Sequence, residues 1–290
     1  MSTAGVIALP EPLSESRRAA LIKLLADEDR SVYQAVRQKI LSCGPQAADW
    51  LRPHLLSSEP ALRRRAQELV HHFERQASDN RFLAFCLKQG EDLDLEQGAW
   101  LLARTRYPDI NVEAYQALLD NFVLELHDRI ESRSAPKQML MAINHYLFVE
   151  LGFSGNEDNF YDPENSYLNR VLDRRTGNPI SLCLIYMLVA RRLRLPITGV
   201  GMPGYFICRY QSIGLEVYID AFNLGKLLSK ADCVQYLVHG HYNVKDEYLA
   251  PVSPRRMLLR MCSNLHQIYT KREQPEEVTR LQRYLVALAR

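Results

Sequence analysis

From Asn178 to Pro196 the chain reads NPISLCLIYMLVARRLRLP. Asn178 followed by Pro179 starts a helix. The Asn side chain can cap orphan donors, and a proline at the first helical position gives up a donor that had no partner anyway. Ile180, Leu182, Leu184, Ile185, Met187, Leu188 and Val189 then leave the helix apolar almost all round. Such a helix has to be covered on most of its surface, so the rest of the chain must build layers around it. Arg191, Arg192 and Arg194 crowd the last turn, where cations suit the carbonyl end of the helix dipole. The spacing predicts a helix to about Leu195, stopped by Pro196.

Behind it, Gly199 to Tyr210 reads as a strand and Leu215 to Asp220 as its antiparallel neighbour across the turn Gln211 to Gly214. Leu227 to Val238 reads as a short helix and His239 to Asn243 as a turn. Pro254 to Lys271 and Glu276 to Arg290 form a closing hairpin similar to a single tetratricopeptide-type unit, which must dock to bury its apolar face. In front of it, helical patterns cover Arg81 to Gly90, Leu93 to Arg106, Val112 to Glu131 and Met139 to Leu151, the last ended by Gly152. Ser154 to Asn165 is rich in turn formers and reads as a long surface loop: either a functional loop or a connector fixed by Asp162 and Pro163.

Residues 1–12 read as an arm, and Ser14 or Ser16 opens a first helix. Asp27 to Leu41 aligns with Ser57 to Val70 at an offset of 30, placing Val32, Val36 and Ile40 over Leu62, Ala66 and Val70. Two helix pairs of that period suggest a short HEAT-like array. The expected organisation is a helical region over 1–77, a core over 78–250 and a helical hairpin over 251–290. The fold class is α+β, mostly helical with a small antiparallel sheet.

The 36 basic and 34 acidic residues nearly cancel, so no charge excess drives binding to nucleic acid or anionic lipid, and the run Arg63 to Arg65 reads as a solvated helix face. No signal peptide and no membrane-length apolar run is present, so a cytoplasmic protein is expected. Six cysteines without a Cys-x-x-Cys pair read as free and buried.

The string from Asn165 to Arg209 resembles the core of bacterial transglutaminase-like proteins of the SirB (invasion-regulator) type. Ala99 to Asp120, Asn144 to Asn156, Tyr218 to Leu228 and the closing helices extend the resemblance over roughly two thirds of the chain. It implies a papain-like α+β fold. In such enzymes a thiolate at the start of the central helix attacks an acyl carbon, a histidine on the next strand is the base, and an aspartate orients it. The nucleophile position, two residues after Gly177, holds Pro179. Cys183 lies four residues on, about 6 Å deeper along the axis, where burial raises a thiol pKa. The base position in Gly-His-Phe is Tyr205, between Gly204 and Phe206, and Asp220 follows it by fifteen residues, as the aspartate follows the histidine. A phenol is ionised about one part in a thousand at neutral pH and makes a poor base.

Cys183, Tyr205 and Asp220 are thus the degenerate triad positions. Asn178, Ser181, Tyr161 and Asp162 are candidate ligand-binding residues beside them. His239 and His241 alone make a weak metal site, and no metal or cofactor is expected. The resulting expectation is a pseudoenzyme acting on a protein partner. The alternatives are a cysteine-dependent acyl transferase or hydrolase using Cys183, and a small-ligand binding protein with its cleft at Tyr205, Asp220 and the loop.

Overall fold

The computed structural model describes residues 13–130 and 135–290, so the arm expected over 1–12 and the helix end at Glu131 lie outside the described residues. The chain divides into two compact units, Met1–Asn80 and Arg81–Arg290.

In the first unit, Ser14 precedes α1 (Glu15–Leu25), and α2 (Arg30–Ser42) is capped by Asp29, whose carboxylate accepts the Ser31 N–H at 2.7 Å. A short α3 (Ala47–Leu51) leads into α4 (Pro60–Lys88). Val36, Ile40, Leu62, Ala66 and Val70, five of the six residues aligned at the 30-residue offset, are buried in one core with Leu25, Leu51 and Leu69. Two expectations need correction. Helix α4 is continuous where two separate helical patterns are predicted, because no glycine or proline interrupts the stretch after Pro60 and Phe73 is buried midway. The arginine run is only partly a solvated face: Arg65 donates to the Leu25 and Asp27 carbonyls at 2.7 and 2.6 Å, and Arg63 donates to the Ser57 carbonyl at 2.8 Å.

The second unit is built around α9 (Pro179–Arg192), buried from Pro179 to Ala190 except at Met187. Around it lie α5 (Leu95–Arg106), α6 (Val112–His127), α7 (Pro136–Asn144) with a π-helical turn over His145–Glu150, and α8 (Leu168–Arg174). The π turn replaces the end of the helix predicted from Met139 to Leu151. Helix α9 ends earlier than Pro196 demands. Arg194 takes a left-handed φ of 58°, the Arg194 N–H bonds the Arg191 carbonyl at 3.0 Å and the Leu195 N–H bonds the Ala190 carbonyl at 2.9 Å, which is a Schellman closure. The arginines do more than face the helix dipole, since Arg191 and Arg192 both pair with the buried Glu96 of α5.

The sheet corrects the expected hairpin. Gly199 to Tyr210 is not one strand but two, β3 (Ile197–Val200) and β4 (Ile207–Ser212), separated by a turn with Gly204 at φ 70°. Strand β5 (Leu215–Asp220) pairs with β4 across a tight turn in which Gly214 has φ 79°. Leu227 and Leu228, expected to start a helix, instead belong to β6 (Lys226–Leu228), and α10 (Lys230–His239) follows under a Ser229 cap. The order β3-β4-β5-β6 is antiparallel throughout.

The closing pair α11 (Pro254–Lys271) and α12 (Pro275–Leu288) docks on this unit: Leu258, Met261, Leu265, Leu281 and Tyr284 share one hydrophobic core with α9. Arg255 is buried within it and satisfied by carbonyls, with Nε on Leu288 at 2.9 Å, Nη2 on Ala287 at 2.7 Å, and Nη1 on Cys86 and Gln89 at 3.0 and 2.8 Å. Among the described residues no helix is long and apolar enough to cross a membrane. The architecture is α+β.

Replacing fully buried Leu184 by alanine should cost about 2–5 kcal/mol in the unfolding transition of the second unit, while Ile213→Ser at an exposed turn stays within about 0.5 kcal/mol. Urea titration followed by circular dichroism measures both.

Candidate functional site

The site begins where two short strands meet in parallel. In β1 (Ser154–Gly155) and β2 (Thr176–Gly177), Ser154 pairs with Thr176 and Gly155 with Gly177, which brings the loop after Phe153 alongside the entry to α9. Both glycines are required by close approach. A Cβ at Gly155 would lie 2.6 Å from the Phe222 ring, and one at Gly177 would lie 2.6 Å from the Ser181 hydroxyl.

The helix start is then closed by a polar network. Asn178 Oδ1 accepts the Ser181 N–H at 3.0 Å, and Ser181 Oγ accepts the Asn178 N–H at 3.0 Å. Asn178 Nδ2 reaches Ser166 Oγ at 2.9 Å, and Ser181 Oγ donates to the Asn165 carbonyl at 2.7 Å. Asn165, wholly buried, donates to the Asn159 carbonyl at 2.9 Å and accepts from Asn156 Nδ2 at 2.9 Å. The predicted surface loop is therefore only partly on the surface. Its second half, with Asp162, Pro163 and Asn165, is buried because it serves the helix cap. Asp162 caps the short 3₁₀ turn through the Glu164 N–H at 3.1 Å and holds Arg174 at 2.8 Å.

Pro179 stands at the first turn of α9, and Cys183 lies one turn deeper with no exposed surface. Its thiol points at the Phe206 carbonyl 3.6 Å away. Burial pushes the Cys183 thiol well above its ordinary pKa, and contact with Cys208 adds to the shift. Tyr205 sits in the turn after β3 and not on a strand. Its hydroxyl donates to Asp220 Oδ1 at 2.9 Å and accepts from Asn223 Nδ2 at 3.0 Å, while Asn223 Nδ2 also donates to Asp220 Oδ2 at 2.7 Å. Burial first, and the Asp220 carboxylate second, push the Tyr205 phenol far above its usual value. Tyr205, Asp220 and Asn223 thus form a closed triangle of neutral phenol, carboxylate and carboxamide.

In front of this triangle lies a cleft of 520 Å³. Phe160 and Tyr161 of the loop, Asn178 and Pro179 of the helix start, and Tyr205 line one side; Arg260, Asn264 and Gln267 of α11 line the other. The Lys271 ammonium, at the last residue of α11, sits 3.6 Å over the Tyr161 ring. Of the residues singled out from sequence, Tyr161, Asn178 and Tyr205 come together at this cleft. Asp220 stands behind Tyr205, Ser181 and Cys183 lie beneath the helix start, and Asp162 serves the loop; none of the four lines the cavity. His239, the last residue of α10, and His241 just after it are exposed, and among the described residues no group of three or more His, Cys, Asp or Glu is placed to hold a metal.

Sequence reasoning missed Asn223, Asn165 and Arg260. Asn223 follows Asp220 by three and its N–H bonds Asp220 Oδ1 at 3.2 Å, a local Asx-type pattern that the sequence does carry. Arg260 carries no such signal, being one more polar residue on an amphipathic helix.

The profile of the transglutaminase-like superfamily matches residues 113–263, which include Tyr161, Asn178, Tyr205, Asp220 and Arg260 but stop short of Asn264 and Gln267. The chain belongs to that superfamily. It is 41% identical over 186 residues to a UPF0162 protein of Xylella fastidiosa strain 9a5c, covering 62% of this chain and 66% of that one. A UPF0162 protein of the Temecula1 strain is 39% identical over 197 residues, 66% of this chain and 70% of that one. The human F-box only protein 21 is 31% identical over 232 residues, 69% of this chain but only 36% of the human protein. No solved structure matches.

Because the folded state keeps Tyr205 neutral, its contribution to stability is intact below the unfolded phenol's pKa of about 10 and is lost as pH rises above that value. Tyr205→Phe should therefore cost about 1–3 kcal/mol at neutral pH by leaving Asp220 and Asn223 short of a partner. The gap between the two proteins should narrow above pH ~10, as read from denaturant unfolding at a series of pH values.

Proposed function

We propose that this chain is a transglutaminase-like protein without acyl-transfer chemistry, working as a protein-interaction or regulatory module in the cytoplasm. The observation that carries this reading is the geometry at the start of α9. Proline stands where the nucleophile belongs, and the nearest thiol, Cys183, is sealed a turn below with its pKa raised. A thiol attacks as the thiolate, so burial removes the reactive species and access together. The base position holds a phenol already committed to Asp220 and Asn223, and a group that stays protonated far above neutrality accepts no proton at pH 7.

What remains is a scaffold suited to contact. The relatives named F-box only protein 21 hold the matching stretch inside much longer chains, which fits a part that serves a larger assembly. In this reading the HEAT-like region over 1–77 and the tetratricopeptide-like hairpin over 251–290 flank the transglutaminase-like core of 78–250 and supply faces for a protein partner. A second reading is favoured by one specific observation: the 520 Å³ cleft in front of Tyr205 falls within the size of small-molecule sites, so the core binds a small ligand where its enzyme relatives react with one.

Labelling the native protein with iodoacetamide between pH 7 and 8.5 and mapping the adducts by mass spectrometry tests the non-catalytic reading. Half-exposed Cys43 should react, and Cys183 should stay unmodified until the chain is unfolded. Rapid modification of Cys183 in the folded protein near pH 7, or an acyl adduct on it, would show a working nucleophile and overturn the reading.

A further inference from the structure

The cleft at the start of α9 has two unlike walls. One carries the rings of Phe160, Tyr161 and Tyr205. Tyr161 meets Phe160 edge-on at 5.3 Å between centroids, and Phe222, which does not line the cleft, backs Phe160 and Tyr205 edge-on at 6.0 and 6.4 Å. Phe160 and Tyr161 keep 41% and 50% of their surface exposed, a large apolar investment left uncovered beside a cavity.

The other wall is the face of α11 that carries Arg260, Asn264 and Gln267 at helical spacing. Arg260 is the unusual member. Its Nη1 donates to the Met202 carbonyl at 2.9 Å and its guanidinium lies 5.7 Å over the Phe206 ring, but among the described residues no carboxylate pairs with it. Burial accordingly depresses its pKa, with Tyr236 the only group opposing that shift. The donors of Arg260 beyond the Met202 contact are therefore free to meet an acceptor that enters the cleft. Asn264 and Gln267 add neutral donors and acceptors beside it. Lys271 does not line the cleft and is occupied on the Tyr161 ring. One unpaired cation set among amides and rings matches a single negative charge on an apolar body, in contrast to the clustered cations that a polyphosphate requires.

We propose that this cleft binds a small organic carboxylate with a flat apolar body, the carboxylate held by Arg260 and the body laid against Phe160 and Tyr205. The volume of 520 Å³ suits a molecule taken in whole. The inference rests on the reading that the site binds and does not react, and it names the ligand class for that reading.

Isothermal titration of the full chain with 3-phenylpropanoate and with its neutral isostere, 3-phenylpropanamide, tests it without any mutation. The acid should bind saturably at millimolar or lower concentration and at least about tenfold tighter than the amide, the size of one charge-assisted hydrogen bond. Arg260→Gln, checked for an unchanged circular dichroism spectrum, should lose that preference, while Ile213→Ser, away from the cleft, should keep it. Absence of saturable binding by the acid, equal binding of acid and amide, or a preference that survives Arg260→Gln would overturn the proposal. These outcomes are separable from the chemistry of Cys183. A silent thiol with no carboxylate binding removes only the ligand class, whereas an acylated thiol removes the non-catalytic reading whatever the titration gives.

Discussion

Everything at the centre of the second unit depends on how the first turn of α9 satisfies its backbone. The helix begins inside the protein, where water cannot supply the partners that its orphan donors need, and an unpaired buried N–H or C=O costs about as much as a lost hydrogen bond. Asn178 and Ser181 answer each other, and Asn165 and Ser166 answer both. The loop, the short parallel pairing and the helix are therefore one polar unit with an apolar exterior. That arrangement explains why a loop full of turn formers is pulled partly into the interior, and why Gly177 leaves no room for a side chain beneath the Ser181 hydroxyl.

The same unit sets the surroundings of Cys183. A helix start is the natural place to lower a thiol pKa, because donors and dipole converge there. In this chain those resources are committed to the cap, and the sulfur that remains lies a turn deeper among apolar neighbours and Cys208. The Tyr205–Asp220–Asn223 triangle joins the turn after β3 to the end of β5.

Much of this was legible in the residues. The start of α9, its buried character, the bounds of α11 and the antiparallel β4–β5 pair follow from periodicity and capping chemistry, and the Tyr205–Asp220 contact from the family resemblance. What was not legible has physical reasons. The break between β3 and β4 turns on Gly204 adopting a left-handed φ, and Gly204 sits in an otherwise strand-like run. The continuity of α4 turns on tertiary burial of Phe73 outweighing a stretch of mediocre helix formers. The C-terminal stop of α9 is made by Arg194 in a conformation that no sequence rule assigns to arginine. Arg260 joins the cleft only because α11 packs against the start of α9, a long-range fact that local patterns do not carry.

The Lys271–Tyr161 contact joins the end of α11 to the loop. A solvent-exposed cation–π pair is worth about 0.5–1 kcal/mol, close to thermal energy. It holds the two sides together only a few-fold more often than not, and side chains of this kind reorient in nanoseconds. The contact between the end of α11 and the loop is thus a clasp that opens by itself many times during any slower event.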